Sequence, residues 1–237
     1  MEVTTITAGA VQAPRRHSQL SLAWQRYCKN KLAVAGLIWV AFFVIIGIIG
    51  PWIAPYNYAT TDFLAANQAP TALHPFGTDS LGHDMLSEVL WSVQNALEIA
   101  FGATLVSFLI GTALGLWAGL SGGVVDMVEA ARALGATQGH IARRYLFPNV
   151  MSSMAVALAF GIPADLTVMA ALSVVGMGLR PPLPSFGNMI AEAGGNTLGY
   201  PWLLYFPAAI FAITLLSFLF VADGLQVALD PRGQSHG

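Results

Sequence analysis

Residues 32–52 read LAVAGLIWVAFFVIIGIIGPW, an apolar run without a charged side chain. A helix of about 20 such residues crosses the hydrocarbon core of a bilayer, so the run predicts a transmembrane helix from Leu32 to Trp52. It starts beyond residue 30 and ends in Gly50-Pro51-Trp52 instead of a small-x-small cleavage site, the mark of a retained anchor and not a secretory leader. Working outward, three further runs reach spanning length: Ala96 to Leu120, Val150 to Gly176 and Trp202 to Val221. The expected fold is all-α, a polytopic transmembrane helical bundle of about four spans. Residues 1–31 form an N-terminal tail, 32–222 the membrane domain and 223–237 a C-terminal tail.

Composition agrees. Of the 237 residues 56% are hydrophobic and 9% charged, against about 25% charged in soluble domains. Ten Lys and Arg balance twelve Asp and Glu, which argues against nucleic acid as a partner and leaves the lipid membrane. Cys28 is the single cysteine, so no intramolecular disulfide and no Cys-based metal or redox pair can form. The two lysines, Lys29 and Lys31, lie outside any G-x-x-x-x-G-K-[ST] pattern. No nucleotide cofactor is expected in this chain.

The cations set the orientation. Arg15, Arg16, Arg26, Lys29 and Lys31 precede the first span, Arg132, Arg143 and Arg144 lie between the second and third, and Arg232 follows the fourth. Only Arg180 falls on the other side, so both termini are expected to be cytoplasmic. Trp24 and Tyr27 inside, Trp52, Tyr56 and Tyr58 outside, and Tyr200, Trp202 and Tyr205 at the start of span four fit an interfacial aromatic belt.

Within the spans, Gly111, Gly115 and Gly119 make two overlapping G-x-x-x-G steps, a face that lets another helix backbone approach closely. Span three carries Pro163 and Asp165 and is too short to cross twice, so it reads as one kinked helix. Asp165, an acid at membrane depth, is the candidate pathway residue. Glu98 stands near the outer end of span two, where it can reach water. His74, Asp79, His83 and Asp84 lack a tight ligand spacing and read as a hydrogen-bonded loop; no metal site is expected.

The connection at 126–149 holds the most chemistry. Asp126 and Glu129 match a capping box, Gly135 suits a helix C-terminal stop, Thr137 can start a second short helix, and Pro148 ends it before the next span. A helix-turn-helix joined rigidly to two spans can convert movement of a cytoplasmic partner into movement of membrane helices.

Glu129-Ala130-Ala131, Gly135 and Tyr145-Leu-Phe-Pro148 together resemble the EAA motif of binding-protein-dependent ABC importer permeases. Four further stretches resemble the oligopeptide/dipeptide/nickel type: Asn30-Lys31-Leu32; His74-Pro-Phe-Gly-Thr-Asp79-Ser-Leu-Gly82-His-Asp84; Gly178 to Met189; and Pro201-Trp202 through Asp223-Gly224-Leu225 to Asp230-Pro231-Arg232. The resemblance implies a non-catalytic membrane subunit that imports peptides or a related small solute. Its implied partners are a second homologous permease, two ABC ATPase domains that carry ATP and magnesium, and an extracytoplasmic solute-binding protein. Glu129, Ala130, Ala131, Gly135, Tyr145 and Pro148 would form the ATPase-coupling loop, and the setting would be the cell inner membrane.

The chain also departs from that family. Members usually carry six spans, whereas Gly122 to Asp126, which resembles the end of the family's second span, runs almost directly into Glu129. Two spans are therefore expected to be absent. His83 stands where Arg is common and Glu88 where a basic residue is common. Two other readings accompany the leading one: an internally deleted, transport-incompetent remnant, and an ion-coupled secondary transporter or channel, which ordinarily shows internal repeats and several midplane acids.

Overall fold

The structure is a computed structural model that describes residues 19–120, 147–195 and 198–229. Among the described residues six α-helices follow in order: α1 (Gln19–Lys29), α2 (Lys31–Ile53), α3 (Met85–Leu120), α4 (Phe147–Val174), α5 (Phe186–Ala193) and α6 (Trp202–Leu229). Four of them, α2, α3, α4 and α6, contain apolar stretches long enough to cross a membrane. Among the described residues the only β pairing is an isolated bridge between Thr78 and Asp84.

Each boundary has a local cause. Asn30 caps α2 by accepting hydrogen bonds from the Leu32 and Ala33 amides at 3.1 and 3.3 Å, an arrangement typically worth about 1 kcal/mol. α2 continues through Pro51 to Ile53. α3 begins at Met85 instead of at Ala96, because Asp84 caps it: its Oδ2 accepts from the Ser87 amide at 2.8 Å. α4 is a single helix with Pro163 inside it. Pro148 lies in the first described turn of α4, and the short helix it is expected to close lies outside the described residues.

α2 lies between α3 and α6, and α4 also packs against both. Close approach is achieved with small residues, as expected where lipid gives no hydrophobic drive between helices. A Cβ on Gly36 would stand 2.7 Å from the Ser217 carbonyl oxygen of α6, and one on Gly50 would stand 3.2 Å from that of Leu90 in α3. The Trp39 indole donates to Thr214 Oγ1 at 3.1 Å, adding a polar tie between α2 and α6.

The core sits toward one end of the bundle, where α5 wedges among the long helices. Phe186 at the start of α5 stacks on Phe43 of α2 and Phe211 of α6, and Phe43 meets Phe218 edge-on. Met85, Val89, Leu166, Met189 and Leu203 complete this cluster. Outward-facing Ile38, Ile48, Leu105, Leu109 and Leu216 are exposed, the pattern of a surface solvated by acyl chains.

At the opposite end α1 folds back against α6. Tyr27 donates to the Ala33 carbonyl at 3.0 Å and stacks on Trp24, and a Cβ on Gly224 would lie 2.4 Å from Ala33 Cβ and 2.9 Å from the Tyr27 ring. Gly224→Leu is therefore expected to pry α1 off the bundle and destabilise it by about 1–3 kcal/mol through overpacking. Faster tryptic cleavage at Arg26 and Lys29 in the variant checks this; an unchanged cleavage rate contradicts it.

Candidate functional site

The sequence-derived candidates fall into three groups. Glu129, Ala130, Ala131, Gly135 and Tyr145 of the coupling loop, with its helix-turn-helix, lie outside the described residues. Gly111, Gly115 and Gly119 lie on α3. A Cβ at Gly111 or Gly115 meets nothing within 4 Å, so among the described residues no neighbour of this chain covers that face. Asp165 of α4 is half-buried and accepts a hydrogen bond from Thr104 of α3 at 2.8 Å. This pair forms a polar tie in the seam between the two helices. Glu98 is exposed and accepts from Gln94 Nε2 at 2.8 Å.

The best-defined polar site lies in the 54–84 loop and its junction with α3. Gly77 and Gly82 take positive φ, at +79° and +81°, conformations open to glycine at little cost. A side chain at Gly82 would also collide with the Asp62 backbone. These turns bring two His–carboxylate pairs together. His74 Nδ1 stands 2.9 Å from Asp84 Oδ1, and the other oxygen of Asp84 accepts from the Ser87 amide and hydroxyl at 2.8 and 2.7 Å. Ser87 Oγ in turn accepts from the Tyr56 amide at 3.1 Å, while the Tyr56 ring stacks on His74.

In the second pair Asp79 Oδ1 accepts from the amides of Leu81 and His83 at 2.9 and 2.6 Å, and Asp79 Oδ2 lies 2.8 Å from His83 Nδ1. Glu88 from the first turns of α3 reaches within 3.7 Å of the same imidazole nitrogen. Glu192 of α5 lines a small cavity together with Asp79 and Glu88. Loss of water around the Glu192 carboxyl pushes its pKa above the ordinary value, Asp79 pushes it the same way, and His83 opposes them.

The sequence pattern missed α5 as a positioning element. Ser185 caps it through the Asn188 amide at 3.1 Å, and Asn188 Nδ2 donates to the Leu179 carbonyl at 2.8 Å. Asn95 Nδ2 of α3 donates to the Pro184 carbonyl at 2.8 Å, fixing the approach to α5. An open cavity beside α5 is bordered by Ser173, Arg180, Asn188 and Glu192.

Four membrane-length helices around a short wedged helix make this a multi-pass helical membrane protein. Residues 18–70 match the family model of the N-terminal TM domain of oligopeptide transport permease C. The dipeptide transport system permease protein DppC of Bacillus subtilis is 28% identical, over 89% of this chain and 85% of that protein. The oligopeptide transport system permease protein OppC of Haemophilus influenzae is 28% identical over 89% and 88%, and the glutathione transport system permease protein GsiD of Escherichia coli (strain UTI89 / UPEC) 29% identical over 88% and 89%. The chain is thus a relative of the permease subunits of peptide-class ABC importers. An alignment over 271 residues that uses 89% of a 237-residue chain leaves about 60 positions of the relative opposite gaps.

Proposed function

We propose that this chain is the membrane-spanning permease subunit of an ATP-driven importer of peptides or a related small solute. The carrying observation is the similarity to peptide-class permeases along nine-tenths of the chain, joined to four membrane-length helices. In this reading the chain makes and breaks no bonds. It lies in the cell inner membrane with both termini cytoplasmic, and the 54–84 loop and α5 face the outside, where a solute-binding protein delivers cargo. ATP and magnesium are held by two ABC ATPase domains, and a second homologous permease completes the pathway.

ATPase closure would act through Glu129, Ala130 and Ala131 as the docking helix, Gly135 as its turn and Tyr145 and Pro148 at the exit into α4. The helix then transmits the movement to the seam that holds Asp165 and Thr104. The face of α3 around Gly111, Gly115 and Gly119 would receive a helix of the second permease. A second reading, resting on the roughly 60 positions of the Bacillus subtilis DppC relative without a counterpart here, is a remnant that inserts without transporting.

One experiment separates them: peptide uptake by membranes carrying this chain with its partner permease, ATPases and binding protein, together with co-purification of the ATPase. Uptake and ATPase retention together support the importer; confirmed insertion with retention but no uptake identifies the remnant. Gly135→Trp is expected to lose the ATPase while the chain stays in the membrane, and undiminished retention contradicts the docking role. Asp165→Asn is expected to reduce uptake severalfold with ATPase retention unchanged, whereas equal uptake removes Asp165 from the pathway.

A further inference from the structure

We propose that Asp79, His83 and Glu88 bind one divalent transition-metal ion of the Zn2+ type at the junction of the 54–84 loop with α3. The three residues offer one ligand atom each, all within 4.8 Å of one another. His83 Nδ1 lies 2.8 Å from Asp79 Oδ2 and 3.7 Å from Glu88 Oε1. A tetrahedral site with bonds of about 2.0–2.2 Å spaces its donors by roughly 3.3–3.5 Å. The two distances from His83 fall on either side of that spacing and all three ligand atoms lie within 4.8 Å of one another, so side-chain rotation that draws Asp79 and Glu88 together would close the site.

Two further observations describe the surroundings of the cluster. Asp79 and Glu88, together with Glu192, border a cavity of about 20 Å³ that His83 does not line, room for a single water beside the three ligands. The charge around it is also unbalanced. Among the described residues, the one basic group within ion-pairing distance of these carboxylates is His83, and no Lys or Arg joins it. The Glu88 side chain is only 14% exposed, and no described residue donates a hydrogen bond to its carboxylate. Carboxylates gathered around one imidazole repel one another as charged groups. A divalent cation converts that repulsion into coordination.

The donor set selects the metal. Imidazole suits zinc and its first-row neighbours, while Mg2+ and Ca2+ take oxygen ligands. Coordination at Nδ1 requires the neutral imidazole of His83 to carry its proton on Nε2, in place of the tautomer that donates from Nδ1 to Asp79. The bound ion would tie the loop, through Asp79 and His83, to the first turns of α3 through Glu88. Glu192 brings α5 to the same cavity.

The test uses the full chain in lipid nanodiscs, stripped with EDTA and titrated with ZnCl2. One equivalent should be retained after dialysis and should raise the thermal midpoint, while MgCl2 at the same concentration gives no shift. His83→Asn and Glu88→Gln should each weaken zinc binding about tenfold or more. Glu88→Gln also removes a repelling charge, so its metal-free midpoint should equal or exceed that of the parent, which separates lost ligation from misfolding. Zinc retention undiminished in both variants would put the ion elsewhere and overturn the proposal. So would an absence of zinc binding to the parent chain, or an equal response to magnesium.

Discussion

Phe186→Ala is expected to destabilise the described bundle by about 3–5 kcal/mol, the range for removing a fully buried aromatic side chain. Phe186 is 1% exposed and contacts rings on two different long helices, with centroids 6.5 Å from Phe43 and 5.5 Å from Phe211. Alanine removes the wedge and leaves a cavity that α5 cannot collapse to fill. Its start is fixed by the Ser185 cap and by Asn95 holding the Pro184 carbonyl. Gly187 already sits so close to α4 that a Cβ there would stand 2.5 Å from Ser173 Cβ. The backbone has no slack toward that side. The thermal midpoint in nanodiscs measures the effect, with Trp52→Ala as comparison: Trp52 is 82% exposed, and its removal should stay within about 0.5 kcal/mol. Equal midpoints for the two variants would mean that α5 does not brace the bundle.

α5 also shows where sequence pattern stops being informative. A span declares itself because about 20 consecutive apolar residues have few alternatives to crossing the bilayer. An eight-residue helix such as FGNMIAEA has too few turns for its periodicity to stand out, and its place is set by Phe186 finding Phe43 and Phe211 far away in sequence. The early start of α3 was hidden for a related reason. The residues before Ala96 include Glu88, Gln94 and Asn95, which interrupt an apolar count but are good enough helix residues once Asp84 caps the turn.

Loop chemistry was legible in part. Reading His74, Asp79, His83 and Asp84 as a hydrogen-bonded loop anticipates the two His–carboxylate pairs that the structure contains. The convergence of Glu88 and Glu192 on Asp79 was not legible, because it depends on α5 docking beside α3. Yet His83 and Glu88 had already stood out as departures from the basic residues common in the permeases this chain resembles. The glycines of α3 posed the opposite problem. Their spacing announces a packing face, and the open space beside Gly111 and Gly115 agrees with a helix supplied from outside the described residues or by another subunit.

Asp84→Ala is expected to cost about 3–5 kcal/mol, the range for breaking a buried polar pair by removing one partner. Its carboxylate is 1% exposed and accepts three short hydrogen bonds, from His74, the Ser87 amide and the Ser87 hydroxyl. Alanine leaves all three donors without their acceptor and uncaps α3 at once. Asp84→Asn retains a side-chain oxygen for the cap and should lose less, about 1–3 kcal/mol, while Ser87→Ala removes one hydroxyl and should lose about 1 kcal/mol. That order, read from thermal midpoints, checks the assignment; an Asp84→Ala chain as stable as Ser87→Ala would contradict it. The functional consequence is separable from the stability loss. The 54–84 loop should unravel first, so limited proteolysis there should accelerate before the four long helices melt. Since this end is the proposed docking face for the solute-binding protein, the assembled complex should keep its ATPase but lose stimulation by the loaded binding protein. A variant that keeps full stimulation despite a cleaved loop would move the docking face away from residues 54–84.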